Sequence, residues 1–215
     1  MHVLQYVNMF EEPQIQYQPA PKKVTLDAYL DMIADGTKRL EYHDGIVVDI
    51  QAATEQHGKI CTNLTRLIGN CLLDKSCHLY AGDRPVWIAE CNKSFFPDHV
   101  IVCGEHEFKQ LSPNVKATIN PSVIIEVLSD STKDFDQTAK TRCYKKLKNL
   151  RQIVYVSQEE QYIRTLIKTE NERIWNEIEY FEGDEIVPIG DCSMALKDIY
   201  YRVNFENMPE QLSDI

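Results

Sequence analysis

The period of the apolar positions changes along the chain, and each period predicts an element. Apolar residues recur every three or four positions over residues 54–73, which predicts the clearest helix. The same spacing over residues 24–33 predicts a shorter helix, for which Thr25 is a suitable N-cap. Polar and apolar residues over 39–50 flank an Asp-Gly pair at 44–45, which is typical of a hairpin.

Two short, almost continuous apolar runs, residues 98–103 and 122–128, are predicted to be strands. The other predicted elements are strands at 78–80, 85–88 and 153–156, a hairpin of 162–168 and 173–180, a helix at 136–150, and a short strand and helix within 191–201. Helices and strands mix without strict alternation. The predicted class is therefore α/β or α+β, with a mixed central β-sheet.

Length and composition favour one folded domain. The 215 residues, 43% apolar and 26% charged, suffice for a full core. A polar, proline-containing start predicts an N-terminal arm at 1–22, the domain at 23–203 and a tail at 204–215. The chain has no apolar run near the roughly 18 residues of a membrane span and no secretory pattern at its start. We therefore expect a cytoplasmic protein without a membrane partner.

The seven cysteines are spread along the chain, and none forms a C-x-x-C pair. This spacing predicts neither a disulfide framework nor a zinc ribbon. We expect most of them to be small buried apolar residues in a reducing cytoplasm.

A net charge of -10 argues against general binding of polyanions. Residues 133–151 nevertheless form a basic segment, whose members are Lys133, Lys140, Arg142, Lys145, Lys146, Lys148 and Arg151. The segment is either a solvated helix face or a surface that contacts phosphate, and composition alone does not decide between them.

Each of the two apolar runs holds one carboxylate, Asp98 in the first and Glu126 in the second. An ionised carboxylate in an apolar strand costs several kcal/mol or more unless a cation or hydrogen bonds compensate for it. If the two strands are neighbours, both side chains can converge on one divalent cation such as Mg²⁺, which prefers oxygen ligands. Asp136, Lys140 and Tyr144 are spaced by four and share one helix face, which can lie over this pair.

These residues, in this order, resemble the Uma-type family of putative restriction endonucleases, within the PD-(D/E)XK nuclease superfamily. The resemblance covers roughly residues 23 to 203. It rests on RLEYHDG at 39–45, His57 at the start of the long helix, Pro97-Asp98, EVLSDST at 126–132, and the triplet Asp136, Lys140 and Tyr144.

The resemblance implies a restriction-endonuclease-like fold, a mixed central sheet flanked by helices, and an Mg²⁺-dependent endonuclease that hydrolyses DNA phosphodiester bonds, with Mn²⁺ as a possible substitute. By the same carry-over, Asp98 and Glu126 bind the metal and Glu41 is a further acidic site residue. The superfamily's usual lysine position, two residues after Glu126, is Leu128 here. The resemblance implies that Lys140 takes over this role and orients the attacking water. A homodimer is a natural way to cut both strands.

Two other functions stay open: a catalytically weak nuclease-fold module that binds nucleic acid or a protein partner, and a hydrolase of small phosphoesters. Each site residue also has a structural interpretation. Asp98 can belong to a turn after Pro97, Glu126 can be an edge-strand charge, and Glu41 can be a cross-strand charge. Lys140 can be a solvated lysine, and His57 can simply line the helix start.

Overall fold

The computed structural model describes residues 23–50, 53–128, 136–181, 183 and 185–205. The predicted arm at 1–22 and most of the predicted tail lie outside these residues, so the domain limits stay predictions. The helices are α1 Leu26–Met32, α2 Glu55–Cys71, α3 Thr141–Tyr144 and α4 Leu196–Ile199, with a 3₁₀ turn at Ala89–Cys91 and a π-helical turn at Asp136–Lys140. The strands are β1 Leu40–His43, β2 Ile46–Asp49, β3 Cys77–Ala81, β4 Val86–Ile88, β5 Lys93–Phe95, β6 His99–Cys103, β7 Phe108–Ser112, β8 Val115–Thr118, β9 Val123–Leu128, β10 Gln152–Ser157, β11 Ile163–Lys168, β12 Trp175–Tyr180, β13 Ile186–Ile189 and β14 Cys192–Ala195.

The strands form two six-stranded sheets and one small hairpin. Sheet A has the order β2-β1-β5-β4-β8-β7, sheet B has the order β12-β11-β10-β9-β6-β3, and β13 pairs with β14. In sheet B the central pair β9–β10 is parallel, and β6 runs antiparallel to β9. Sheet B is thus the predicted mixed central sheet. The pairing of β6 with β9 makes the two carboxylate-bearing runs neighbours, which is the condition under which both carboxylates can converge on one ion.

Helix α2 covers one face of sheet B. Thr54 caps it by accepting a hydrogen bond from the backbone of His57, and Ile60, Leu64 and Ile68 are fully buried against odd-numbered residues of β6 and β9. Burial of each such side chain stabilises the fold by about 1.5–3 kcal/mol. The helix predicted at 54–73 and the Thr25 cap of α1 are both confirmed.

The other face of sheet B packs against sheet A and against residues 136–144, here called the lysine segment. A second apolar cluster joins Val100 and Ile124 of sheet B to Phe95 of sheet A and to Tyr144. Even-numbered residues of β9, including Glu126, therefore face the lysine segment, as the strand parity predicted.

The helix predicted at 136–150 is only partly right, because regular helix ends at Tyr144. After it, Lys146 and Leu147 donate backbone hydrogen bonds to carbonyls three residues back, which tightens the chain. This turn buries Leu147 and Leu150 in the same apolar cluster. Tertiary packing has overridden the local helical period here.

The prediction that the cysteines form no disulfides is wrong. Among the described residues, disulfides join Cys71 to Cys192, Cys77 to Cys103, and Cys91 to Cys143. The partners are 121, 26 and 52 residues apart, so no local spacing marks them. Strand pairing brings Cys77 opposite Cys103. Disulfides persist in oxidising compartments, so the expected cytoplasmic location loses the support it took from the cysteines.

The helices of the described residues include none that is both long and apolar enough to cross a membrane.

Candidate active site

The pairing of β6 with β9 places Asp98 and Glu126 side by side at the ends of the two strands. His99 pairs with Ile125 in this antiparallel register, so the next position brings Asp98 opposite Glu126. The backbone N–H of Val127 donates a hydrogen bond of 2.7 Å to Oδ2 of Asp98. This bond holds the Asp98 carboxylate against the end of β9 and leaves Oδ1 on the side of His57.

Glu126 is held from the lysine segment. The residue is only 5% exposed, and the hydroxyl of Tyr144 donates a hydrogen bond of 2.6 Å to its Oε1. Burial and, after it, the charges of Glu126 and Glu41 raise the pKa of Tyr144 well above its usual value. Tyr144 therefore stays protonated and acts as a fixed donor to the carboxylate.

Lys140 lies between two carboxylates. Its Nζ is 3.1 Å from Oε1 of Glu41 and 3.7 Å from Oε1 of Glu126, and the residue is 7% exposed. Leu128, the usual lysine position of the superfamily, is buried in the apolar cluster instead. The structure thus brings Glu41, Glu126 and Lys140 together, and it excludes the interpretation of Lys140 as a solvated lysine.

Glu41 reaches the site from sheet A. Strand β1 pairs with β5, and the N–H of Phe96 just after β5 donates to Oε1 of Glu41, while Nε2 of His43 donates to Oε2. Burial raises the pKa of Glu41, but the hydrogen bonds from His43 and Phe96 and the charge of Lys140 together outweigh it, so the net pKa lies below its usual value. Glu41 is therefore held as a carboxylate between the two sheets.

His57 and Cys61 complete the surroundings of Asp98. Nε2 of His57, in the first turn of α2, lies 3.1 Å from Oδ1 of Asp98. One turn later, Sγ of Cys61 lies 3.6 Å from Nδ1 of His57. His57 was predicted only as a residue at a helix start, and Cys61 was not predicted as a site residue. Their spacing of four residues on one helix was the available signal.

The cluster carries more negative than positive charge. Asp98, Glu126 and Glu41 bring three carboxylates, while Lys140 brings one ammonium group. These four side chains therefore have an excess of two negative charges in a site largely screened from water. Such an excess is costly unless a cation compensates for it.

The basic segment is partly exposed. Arg142, Lys146, Lys148 and Arg151 are exposed, and Lys145 is half-buried beside the ring of Trp175. Lys133, and the side chain of Asp136, lie outside the part of the chain that the structure describes.

Comparison with known proteins identifies relatives for this arrangement. The chain is 31% identical to the uncharacterized protein sll1609 of Synechocystis over 137 residues, which cover 64% of this chain and 76% of that protein. It is 26% identical to the uncharacterized protein slr1290 of the same organism over 186 residues, covering 86% of this chain and 94% of that one.

A solved structure shares the fold. The crystal structure of a putative nuclease belonging to DUF820 from Anabaena variabilis ATCC 29413 superimposes with a TM-score of 0.64, covering 82% of this chain and 97% of that chain. At 17% identity this likeness concerns the fold alone, and it confirms the predicted restriction-endonuclease-like class. The family described as "Putative restriction endonuclease", Uma2, matches residues 26–194. The chain therefore belongs to the Uma2 family of putative restriction endonucleases.

Proposed function

We propose that this protein is a divalent-metal-dependent endonuclease that hydrolyses phosphodiester bonds of DNA. The observation that carries the proposal is the excess of two negative charges among Glu41, Asp98, Glu126 and Lys140, at the point where β6 begins and β9 ends. A divalent cation compensates for such an excess. Membership of a family of putative endonucleases supports the choice of reaction.

The donor set fits Mg²⁺, for which Mn²⁺ can substitute. Mg²⁺ takes oxygen ligands and keeps several waters. The side chain of Asp98 is 18% exposed, so water reaches it, and Glu126 is its neighbour across the strands. Val127 and Tyr144 already orient one oxygen of each carboxylate. When bound, the metal would stabilise the negative charge on the phosphoryl group and lower the pKa of a bound water.

The protein's own residues supply the remaining parts of the reaction. Lys140 offers hydrogen-bond donors that orient the attacking water and stabilise the developing negative charge. Glu41 positions that ammonium group, because its carboxylate contacts Lys140 directly and is itself fixed by His43 and Phe96. Tyr144 holds Glu126 in place.

DNA is the proposed substrate in spite of the net charge of -10. The exposed basic side chains of the segment from 142 to 151 provide local positive charge for phosphate contacts. Cutting both strands of a duplex is easiest with two active sites, so the proposal includes a homodimer, which light scattering can test.

A nicking assay on plasmid DNA tests the function. Wild-type protein should cut in Mg²⁺ or Mn²⁺ and not in EDTA, and Asp98→Asn, which keeps the shape of the side chain, should not cut. Small phosphoesters assayed in parallel separate a nuclease from a general phosphoesterase. Equal nicking by wild type and Asp98→Asn would refute the proposal.

A second candidate is a catalytically weak nuclease-fold module that binds nucleic acid or a protein partner. The low exposure of Glu41, Glu126 and Lys140, which is 5%, 5% and 7%, favours this candidate. Lys140 contacts both carboxylates, so the three groups largely satisfy one another and have little contact with solvent. If this candidate is right, the protein binds DNA or a partner but shows no metal-dependent cleavage in the nicking assay.

A further inference from the structure

We propose that His57 is a ligand of the ion held by Asp98 and Glu126, and that its nitrogen makes the site select a first-row transition-metal ion, such as Mn²⁺, over Mg²⁺. The inference rests on the proposed metal-dependent function and specifies its ion. It also gives a role to the side chain at the start of α2, which the roles proposed above leave unused.

The distance between His57 and Asp98 suits two ligands of one ion. Nε2 of His57 is 3.1 Å from Oδ1 of Asp98. Adjacent ligands of an octahedral ion, each about 2.1 Å from the metal, lie about 3.0 Å apart. The hydrogen bond from Val127 fixes Oδ2 of Asp98, so Oδ1 is the oxygen left beside the imidazole.

The ring of His57 is also oriented for ligation. Thr54 caps the helix through the backbone N–H of His57, which fixes the residue in the first turn. Sγ of Cys61 lies 3.6 Å from Nδ1 and 4.0 Å from Nε2 of His57, so the sulfur packs beside the imidazole near both nitrogens. The donor atoms of His57, Cys61 and Asp98 all lie within 4.8 Å of one another.

The nitrogen donor decides the type of ion. Mg²⁺ is bound through oxygen, whereas imidazole is a common ligand of first-row transition metals. The alternative is a purely structural His57–Asp98 pair, in which His57 competes with the ion for Oδ1. The two interpretations predict different effects of replacing His57 on Mn²⁺ affinity. Removal of a ligand weakens the binding of Mn²⁺, whereas removal of a competitor leaves the binding unchanged or strengthens it.

Mn²⁺ binding measured by the electron paramagnetic resonance of free Mn²⁺, with Mg²⁺ as competitor, tests the inference without any catalytic readout. We expect His57→Gln to lower Mn²⁺ affinity about 10-fold or more. Mg²⁺ affinity should fall less, so the preference for Mn²⁺ should shrink. His78→Gln is the matched control, because His78 is exposed on β3. Thermal unfolding of each variant checks that the fold is kept.

A measurement on wild-type protein avoids any effect of substitution. Electron spin echo modulation of bound Mn²⁺ should show the coupling of a directly bound ¹⁴N, and this coupling should be absent in His57→Gln. No ¹⁴N coupling in wild type, unchanged Mn²⁺ affinity in His57→Gln, or equal losses for both ions would overturn the inference.

The same experiments separate this inference from the proposed function. If Asp98→Asn loses metal binding while His57→Gln binds Mn²⁺ like wild type, the carboxylate site stands and the role of His57 is wrong. If wild-type protein binds neither ion, the proposed metal-dependent function fails and the inference fails with it.

Discussion

Replacement of Lys140 by methionine removes an ammonium group that contacts both Glu41 and Glu126, while it keeps most of the side-chain volume. At separations of 3.1 and 3.7 Å, each contact is worth roughly 5 kcal/mol of attraction at an effective dielectric constant of about 20. Desolvation offsets most of this attraction. Loss of one partner of a buried ion pair nevertheless destabilises by about 3–5 kcal/mol, because the remaining carboxylates are left uncompensated.

The same substitution should affect catalysis and metal binding in opposite directions. Loss of one donor that stabilises a transition state costs roughly two to three orders of magnitude in rate. Metal affinity should be preserved or increased, since a competing positive charge beside Glu126 is gone. Single-turnover plasmid nicking, Mn²⁺ titration and urea unfolding measure the three effects. Lys38→Met, at an exposed position outside residues 133–151, is the matched control.

Wild-type nicking by folded Lys140→Met would refute the assignment of Lys140 as the water-orienting cation. A lower rate accompanied by an equal loss of metal affinity would also contradict it, since Lys140 would then act only by maintaining the site.

Three other predictions test the surrounding charges. Asp98→Asn and Glu126→Gln should each abolish metal-dependent nicking and weaken Mn²⁺ binding, and calorimetry that shows undiminished affinity in both would contradict their role as ligands. Binding to a labelled DNA duplex should be weak in EDTA and stronger in Ca²⁺, and it should fall steeply with salt, because a protein of charge -10 has only local basic patches for phosphate. Equal affinities in EDTA and Ca²⁺, measured by fluorescence anisotropy, would mean that the carboxylates do not face the DNA. Since the pKa of Glu41 in the folded protein is lowered, its contribution to the free energy of unfolding is present above its ordinary pKa of 4.5 and is lost as the pH falls through the folded-state value. The difference in unfolding free energy between wild type and Glu41→Gln should therefore shrink on acidification below about pH 4.5, and a difference independent of pH would contradict the ion pair with Lys140.

Features that depend on neighbouring residues were predictable from the sequence. Helix α2 follows its apolar stripe and its Thr54 cap, and the first hairpin turns at Asp44 and Gly45, both at positive φ. The side-chain alternation of β9 also correctly placed Glu126 on the face that Lys140 approaches. In each case the signal lies within a few residues of the feature that it determines.

Features that depend on distant partners were not predictable in this way. Strands β5, β7, β8 and β13 carry no clear alternation and are defined by the strands beside them. The contact of Cys61 with His57 was visible in principle from their helical spacing, but the neighbouring Asp98 comes from a different element, 37 residues further along the chain than Cys61. The family resemblance supplied Lys140 as a site residue, whereas the contact of Glu41 with Lys140 depends on the packing of sheet A on sheet B.

The ammonium group of Lys140 comes from a helical turn and not from strand β9, and this affects how closely its position can be adjusted during evolution. Along one face of a strand, side chains are available only every two residues, about 6.6–7 Å apart. Along a helix the rise is about 1.5 Å per residue, and a small rotation or shift of the whole turn moves the group continuously. Because Lys140 comes from such a turn, its height above the strand ends can be adjusted without any change in strand register. Position 128 is thereby left to an apolar side chain, and all six residues of β9 remain buried.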